Sequence, residues 1–302
     1  MWTEDDDAAL RREAMAWLAV RTDDQRHYLS TDEIGEFRFR GERFPLMDRQ
    51  RGIRKPAQLQ AALSIRTTFR PDGAERPYED ALRPDGLISY KWRGTDPDHP
   101  ENRGLRRAYE QQLPLIWFYG VGVGTYQAVF PVFIVAEDRA LHEFVLSPIE
   151  GVLPQAGDTL QEEVLRRYVA REAKHRLHQP IFRGMVLRAY GERCSVCELR
   201  HAVLLDAAHI VPDSDRAGIA AVRNGLSLCK IHHAAYDTGI LGIRPDYTLA
   251  IREEVLREVD GPMLRHGLQD MHGQRLRVLP RRRSEKPDPD LLEMQWDRFL
   301  AS

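Results

Sequence analysis

Three cysteines placed close together constrain this 302-residue chain more than any other feature of its sequence. Cys194 and Cys197 form a Cys-x2-Cys pair, and Cys229 begins a Cys-x2-His pair that ends at His232. An odd number of cysteines confined to 36 residues argues against a disulfide framework, which would be even-numbered and spread along the chain. Two short pairs separated by a loop are typical of a closed tetrahedral zinc site. We therefore expect a structural Zn²⁺ ion, with His233 as an alternative fourth ligand to His232.

Domain organisation follows from the length of the chain and from changes in its pattern. A length of 302 residues fits two domains at about 100–200 residues each. Residues 36–147 contain several strand-like runs between loops, which indicates a mainly β domain, and an amphipathic pattern over 6–20 predicts a helix ahead of it. The predicted division is an N-terminal domain of 1–150, a linker and helix over 151–180, and a C-terminal domain of 181–302. The linker-like pattern itself covers 147–160, and the helical pattern covers 161–190.

Charge and hydropathy exclude some classes of protein and leave others open. The chain has 44 Lys and Arg against 46 Asp and Glu, so its formal net charge is −2. This balance does not exclude a nucleic-acid partner, because such footprints are local patches. The acidic N-terminus is not that of a signal peptide, and the longest apolar runs fall short of the ~18 residues that a spanning helix needs. We therefore expect a cytoplasmic protein without a membrane segment.

Three further polar residues lie between and around the cysteine pairs in a specific order. His209 lies in LLDAAHIVP, Asn224 in VRNGLSL, and His233 is the second histidine of the HH pair. In this order and spacing, residues 181–245 resemble the HNH or ββα-metal nuclease motif, whose zinc-containing branch carries the same paired cysteines. The tail HGQRLRVLPRRRSEKPDPDLLEMQWDRF resembles the segment after the motif in bacterial proteins that are predicted HNH restriction endonucleases.

The resemblance implies an α+β chain whose C-terminal domain hydrolyses phosphodiester bonds. It implies that His209 is the general base that polarises the attacking water, a role that suits an imidazole with an ordinary pKa near ~6.5. It implies that His233 is a ligand of one catalytic divalent ion, Mg²⁺ or Mn²⁺, which neutralises charge on the phosphate. Asn224 would hold the loop and His209 in place by side-chain hydrogen bonds, and the zinc would keep hairpin and helix in register.

The chain departs from the family pattern at one position of the expected metal site. Many members carry an acidic residue directly before the first histidine, where this chain has Ala208. Asp206 precedes His209 by three residues, and Asp237 lies four residues after His233 on the same face of the predicted helix. We favour Asp206 as the ligand because the ion needs an oxygen donor there, and Asp237 is the alternative ligand or a partner of one. Without a metal, either carboxylate would cap a turn or a helix end.

A weaker resemblance to the same predicted restriction enzymes extends over residues 44–135. In related architectures a mainly β domain of the PUA or SRA type is fused to HNH and flips a modified cytosine into a pocket. Such a pocket needs aromatic faces and polar groups, and basic side chains near it bind phosphates. The residues expected to bind DNA are Arg51, Arg54, Lys55, Tyr90, Lys91, Trp92 and Arg93. We expect Tyr90 and Trp92 at the surface, whereas Trp117 and Phe118 are expected in the β core.

The function that these features favour is that of a DNA endonuclease. We expect a modification-dependent restriction enzyme that reads modified cytosine through its N-terminal domain and cuts double-stranded DNA through its HNH domain. Cutting both strands with one HNH motif per chain calls for a homodimer. Two alternatives stay open: an HNH anti-phage effector gated by a ligand or protein bound to the N-terminal domain, and a zinc-stapled DNA-binding module without catalysis. The last alternative predicts no metal-dependent cleavage and no effect of His209→Ala.

Overall fold

The computed structural model describes residues 2–69, 87–148, 150, 174–212, 215 and 221–301. They belong to two compact units, Met1–Ile181 and Phe182–Ser302. Both units mix helices and strands, so the predicted α+β class is confirmed, while the domain boundaries at 150 and 180 stay predictions. Most of the predicted linker over 147–160, and the first part of the helix predicted after it, lie outside the described residues. Among the described helices, none is both long enough and apolar enough to cross a bilayer.

The first unit consists of one long helix, several short helical segments and a large sheet. Its helices are α1 (Glu4–Thr22), α2 (Thr31–Ile34) and α3 (Pro100–Glu110), and a π-helical turn covers Lys174–His178. Its strands are β1 (Leu29–Ser30), β2 (Arg38–Phe39), β3 (Glu42–Arg43), β4 (Ile53–Arg54), β5 (Ser64–Thr67), β6 (Ile88–Lys91), β7 (Leu115–Gly122), β8 (Thr125–Asp138) and β9 (Glu143–Ser147). Within the described residues, seven of these strands form one sheet in the order β4-β5-β7-β8-β9-β6, with β1 also paired to β8.

Local sequence explains why the first unit begins with a long helix. Thr3 and Asp6 form a reciprocal capping box, which satisfies two backbone N–H groups at the start of α1. Leu10, Ala14 and Leu18 recur every four residues, lie on one face of α1 and are fully buried in the core of the unit. The helix predicted over 6–20 is therefore confirmed. Trp117 and Phe118 of β7 are also buried, as predicted.

The second unit contains a two-stranded hairpin that is followed directly by a helix. Its helices are α4 (Gln179–Ala189), α5 (Lys230–Asp237), α6 (Glu253–Arg257), α7 (Pro262–Gly267) and α8 (Pro289–Ala301). The unit begins at Phe182, within the first turn of α4. Its strands are β10 (Leu205–His209), β11 (Gly225–Cys229), β12 (Leu241–Ile243) and β13 (Leu249–Ile251). Strands β10 and β11 form an antiparallel hairpin in which His209 is paired with Gly225. Helix α5 begins at Lys230, directly after β11, and completes the ββα arrangement.

Helix α4 packs on this hairpin through residues spaced four apart. Phe182, Val186 and Tyr190 form one buried stripe along the helix. A Cβ atom at Gly225 would lie 2.4 Å from Cγ2 of Val186 and 3.0 Å from Cζ of Phe182, so the close approach of helix and strand depends on glycine at this position. The Tyr190 hydroxyl donates a hydrogen bond of 3.0 Å to the carbonyl oxygen of Gly225. The helix therefore supports the strand that pairs with His209.

Candidate functional site

Four side chains converge to form a cluster of three thiols and one imidazole. Cys194, Cys197, Cys229 and His232 each offer a ligand atom, and these atoms all lie within 4.8 Å of one another. Nδ1 of His232 is 3.1 Å from Sγ of Cys229 and 3.5 Å from Sγ of Cys194. Sγ of Cys197 is 4.0 Å from Sγ of Cys229. Tetrahedral zinc ligands, with sulfur about 2.3 Å from the ion, lie about 3.5–4 Å apart, so the donor types and their spacing fit Zn²⁺.

The start of helix α5 explains how His232, and not His233, enters this Cys3His cluster. Cys229 is the N-cap of the helix, and His232 lies three residues later with only 2% of its surface exposed. Nε2 of His232 lies 2.7 Å from the carbonyl oxygen of Gly267. When this nitrogen donates its hydrogen to Gly267, the lone pair of His232 is at Nδ1, which faces the thiols. The hydrogen bond therefore fixes the ring in the tautomer that a metal ion at the cluster requires.

The thiols of the cluster also favour an ionised donor. Cys194 and Cys197 lie against the Cys229 sulfur and hold the pKa of the Cys229 thiol far below its ordinary value. Thiolates, not thiols, are the form that binds metal ions. The Cys229 sulfur in turn raises the pKa of Cys194 and Cys197, so the cluster combines a buried position and sulfur and imidazole donors with one readily ionised thiol, which fits a structural zinc site.

His209 lies at the last position of β10, and its ring is held by an aromatic neighbour. The imidazole stacks on the ring of Phe182 from α4, with 3.9 Å between ring centroids and 7° between ring planes. The residue is half-buried, so the ring is sheltered on one side. Stacking of this kind restricts rotation of the side chain and keeps its nitrogen atoms in fixed directions.

Asn224 is fully buried and clamps the loop that follows His209. Its Oδ1 accepts a hydrogen bond of 2.9 Å from the backbone N–H of Val211, and its Nδ2 donates one of 2.9 Å to the Val211 carbonyl oxygen. The backbone N–H of Ile210 donates to the Asn224 carbonyl oxygen at 2.9 Å. The backbone directly after His209 is therefore tied to the residue that precedes β11.

His233 lies between the two carboxylates that the sequence singles out. Its Nδ1 is 3.6 Å from Oδ2 of Asp206, and its Nε2 is 3.3 Å from Oδ2 of Asp237. Asp206 has the larger effect and raises the pKa of His233 above its ordinary value, with Asp237 adding to the shift against the opposing effect of burial. The structure brings both candidate oxygen ligands to the same imidazole, so the choice between them stays open.

Two cations that sequence reasoning missed hold Asp206. Lys230 forms an ion pair with its Oδ2, and Nε of Arg183 lies 3.6 Å from its Oδ1. Burial opposes ionisation of Asp206, but His233, Lys230 and Arg183 together outweigh it, and its pKa lies well below the ordinary value. Lys230 is three residues before His233 on a predicted helix, a spacing that signals proximity. Arg183 is brought in only by tertiary packing, through hydrogen bonds to the carbonyl oxygens of Ala202 and Leu205.

Most basic residues expected to bind DNA contact the first unit itself. Arg51 and Arg93 lie 3.5 and 3.9 Å from the carboxylate of Glu101. Lys91 pairs with Glu143 at 2.8 Å. Lys55 donates a hydrogen bond of 3.0 Å to the Leu59 carbonyl oxygen. Arg51, Lys91 and Arg93 keep more than 45% of their side-chain surface exposed. Their role in DNA binding stays a prediction.

The two aromatic residues of this set differ from expectation. Trp92 is only 7% exposed and packs beside the rings of His142 and Phe144, so its predicted surface position is wrong. Tyr90 is half-buried, and its hydroxyl lies 2.9 Å from the carbonyl oxygen of Gly52, to which it donates a hydrogen bond. Alternation along β6 did not reveal that the strand is covered by neighbouring segments of chain.

Arg54 differs from the other basic residues because it borders a cavity of about 470 Å³. Arg43 and Arg49 line the same cavity, and Leu46 and Met47 give it apolar walls. Burial lowers the pKa of Arg54 below its ordinary value. Asp48 also lines the cavity, so three cationic groups and one carboxylate lie beside apolar surface, which suits a planar group attached to an anion.

Comparison with known proteins finds a family match within the second unit. Residues 194–244 match the family described as HNH endonuclease, and this stretch contains the Cys3His cluster together with His209, Asn224 and His233. The predicted HNH resemblance is therefore confirmed for these residues, and the match supports a nuclease domain. No curated protein matches the chain.

Two solved structures are also similar to the chain, with low sequence identity and low TM-scores. A "Modification dependent TagI restriction endonuclease" has 21% identity and a TM-score of 0.31, with 82% of this chain and 85% of that chain covered. The "Type IV phosphorothioation-dependent restriction endonuclease ScoMcrA" has 14% identity and a TM-score of 0.20, with 62% of this chain and 48% of that chain covered. The PUA/SRA-like fold of the N-terminal part stays a prediction.

Proposed function

We propose that the chain is a DNA endonuclease that hydrolyses phosphodiester bonds at the site formed by His209, Asn224 and His233. The observation that carries this proposal is the ββα arrangement, which places these residues on one hairpin and one helix inside the stretch that matches the HNH endonuclease family. His233 and the two carboxylates beside it offer the donor set that a nuclease needs. The Cys3His cluster would stabilise the same hairpin and helix, because Cys229 ends β11 and His232 lies on α5.

In this proposal His209 is the general base. Its imidazole takes a proton from the attacking water, and the stack on Phe182 keeps the ring in the orientation that this transfer requires. Asn224 does not touch the substrate: both polar atoms of its buried amide are used on Val211. Asn224 is therefore a positioning residue, which fixes the backbone that follows His209.

Asp206 and His233, with Asp237 as the alternative carboxylate, are the residues that would hold a catalytic Mg²⁺ or Mn²⁺ ion. Because the two carboxylates face different ring nitrogens of His233, one ion would bind one nitrogen together with the carboxylate on that side, a carboxylate and imidazole pair that suits either ion. When bound, the ion supplies positive charge to the scissile phosphate and the leaving oxygen. Lys230 and Arg183 pair with the Asp206 carboxylate, and the ion would replace the Lys230 ammonium there when it binds.

We further propose that the N-terminal part selects modified double-stranded DNA. The cavity bordered by Arg43, Arg49 and Arg54 supports this assignment, because cations beside apolar walls suit an extruded base and its phosphates. A homodimer would supply the second HNH site needed to cut both strands. These properties describe a cytoplasmic restriction enzyme that acts against foreign DNA, such as that of a phage.

Cleavage of one plasmid in three forms tests the proposal. The plasmid is prepared unmodified, with 5-methylcytosine and with 5-hydroxymethylcytosine, and each form is incubated with Mg²⁺ or Mn²⁺ beside a His209→Ala control. We expect cutting of modified DNA alone and none by the variant. Equal cutting of all three forms would retain the nuclease and reject the reader of modified cytosine. Absence of cutting in every form would favour the ligand-gated effector or the non-catalytic module.

A further inference from the structure

A cavity lined by arginines lies in the second unit, and neither the Cys3His cluster nor His209, Asn224 or His233 lines it. It has a volume of about 560 Å³. We call its cationic wall the basic groove, which consists of Arg188, Arg193, Arg281 and Arg282. Among the lining residues in the described part of the chain, Glu285 supplies the one carboxylate, and it lies 3.5 Å from Arg282. Four guanidinium groups against the carboxylate of Glu285 give the described lining residues a net positive charge.

Backbone hydrogen bonds hold the segments that form the basic groove. Arg188 lies at the end of α4 and Arg193 in the loop that follows, while Arg281 and Arg282 belong to a distant stretch of chain. Just ahead of that stretch, the N–H groups of residues 277 and 278 both donate to the carbonyl oxygen of Ser195, at 2.8 and 3.2 Å. The concave shape therefore comes from connected backbone, with Tyr190 buried in its wall.

The groove shares helix α4 with the candidate general base. Phe182 at one end of the stripe stacks on His209, and Tyr190, eight residues later, lines the groove. Eight residues of α-helix span about 12 Å along the axis. That distance corresponds to about three to four base-pair steps of a duplex, at about 3.4 Å per step. A duplex with its scissile phosphate at His209 thus has further phosphates within reach of the groove.

We propose that the basic groove binds backbone phosphates of the DNA a few nucleotides from the cleavage position. This inference rests on the proposed nuclease function. Guanidinium groups form paired hydrogen bonds with phosphate oxygens, and a concave set of four of them matches a curved, highly charged backbone. Contacts of this kind carry no base information. The groove fixes the duplex in register on the nuclease unit, whatever sequence or modification the first unit selects.

Fluorescence anisotropy of a labelled duplex with the full chain, without added Mg²⁺ or Mn²⁺, tests the groove. The groove variant is the double substitution Arg193→Ala and Arg281→Ala. The charge-matched control is Arg257→Ala with Arg265→Ala, which removes two arginines from α6 and α7 of the same unit. Each phosphate that is no longer neutralised lowers the slope of log K against log salt by about 1, so we expect a drop of about 2 and roughly tenfold weaker binding in the groove variant.

The control is expected to leave the slope unchanged and the affinity within about twofold of the wild type. Replacement of Arg193 and Arg281 by lysine, which retains the charges, is expected to restore the slope and most of the affinity. Equal losses in groove variant and control, or no change in either, would overturn the proposal. If the wild type cuts no DNA but its slope of log K against log salt exceeds that of the groove variant by about 2, the nuclease proposal fails and phosphate binding by the groove is retained. If the wild type cuts while the groove variant binds like the control, the groove proposal alone fails.

Discussion

His232 and His233 are neighbours on helix α5 and lie in opposite chemical surroundings. His232 is buried among three sulfur atoms, and its second nitrogen is fixed by the carbonyl oxygen of Gly267. His233 is half-buried between two carboxylates, with its site open to solvent on the Asp237 side. Sulfur donors in a closed setting suit an ion that stays in place. Oxygen donors in an open setting suit an ion that exchanges and meets a substrate.

The difference shows how one short helix serves two purposes. Because consecutive helical residues point about 100° apart, adjacent histidines face different sides of α5. The side that carries His232 contacts Cys194, and the side that carries His233 faces Asp206 on β10. Stability and chemistry thus depend on separate residues that a single backbone keeps in register.

Cys194→Ser is expected to have the largest effect, because it removes one thiolate from the Cys3His cluster. Structural zinc binding contributes on the order of 10 kcal/mol to the folding of small zinc domains, which is comparable to the whole stability of a domain. We expect elemental analysis to find no stoichiometric zinc and hydrogen exchange to show loss of protection over 194–244. Retention of one zinc per chain with unchanged protection would contradict the structural role of the cluster.

His209→Ala is expected to come next, with the cluster intact. Loss of a general base typically lowers the rate about 10²–10⁴-fold. Single-turnover cleavage of a substrate that the wild type cuts measures the effect, and zinc content is expected to stay at one per chain. His201→Ala, which removes an exposed histidine from the same unit, is the matched control and should leave the rate unchanged. A fall of less than about tenfold in the His209 variant would remove that residue from the role of base.

Asp206→Asn and Asp237→Asn sharpen the description of the His233 side. Asp206 is 26% exposed and Asp237 is 62% exposed, so Asp206 is the more buried of the two candidate ligands. We expect Asp206→Asn to raise the Mg²⁺ concentration for half-maximal cleavage about 10–100-fold, and Asp237→Asn to raise it less. A titration of cleavage against Mg²⁺ compares the two. The reverse order would assign the ligand role to Asp237.

Lys230→Met is expected to have the smallest effect, in the opposite direction. Lys230 pairs with Asp206 but is 55% exposed, and such pairs contribute at most about 1 kcal/mol. A divalent ion that binds Asp206 must first displace the Lys230 ammonium, and the variant removes this competition. The half-maximal Mg²⁺ concentration should therefore fall by up to about fivefold with little change in melting temperature. A rise in the Mg²⁺ requirement would show that Lys230 supports the site.

The parts of the molecule that sequence patterns predicted are those with local spacing. The two cysteine pairs reveal the Cys3His cluster because each pair spans a single turn or loop, and the order of His209, Asn224 and His233 predicts the HNH match of residues 194–244. Arg183 and the arginines of the basic groove are missed because only tertiary packing brings them together. Trp92 is misplaced for a related reason: a strand residue between two cations predicts exposure until the chain that covers it is known.

The paired variants His232→Ala and His233→Ala test whether the zinc cluster and the cutting site are separate. Zinc per chain is measured by elemental analysis, and cleavage is measured on the DNA that the wild type cuts. We expect His232→Ala to lose its zinc together with its activity, whereas His233→Ala keeps one zinc per chain and a normal melting transition but does not cut. Cleavage by His233→Ala at the rate of the wild type, or loss of its zinc, would contradict the separation of the two sites.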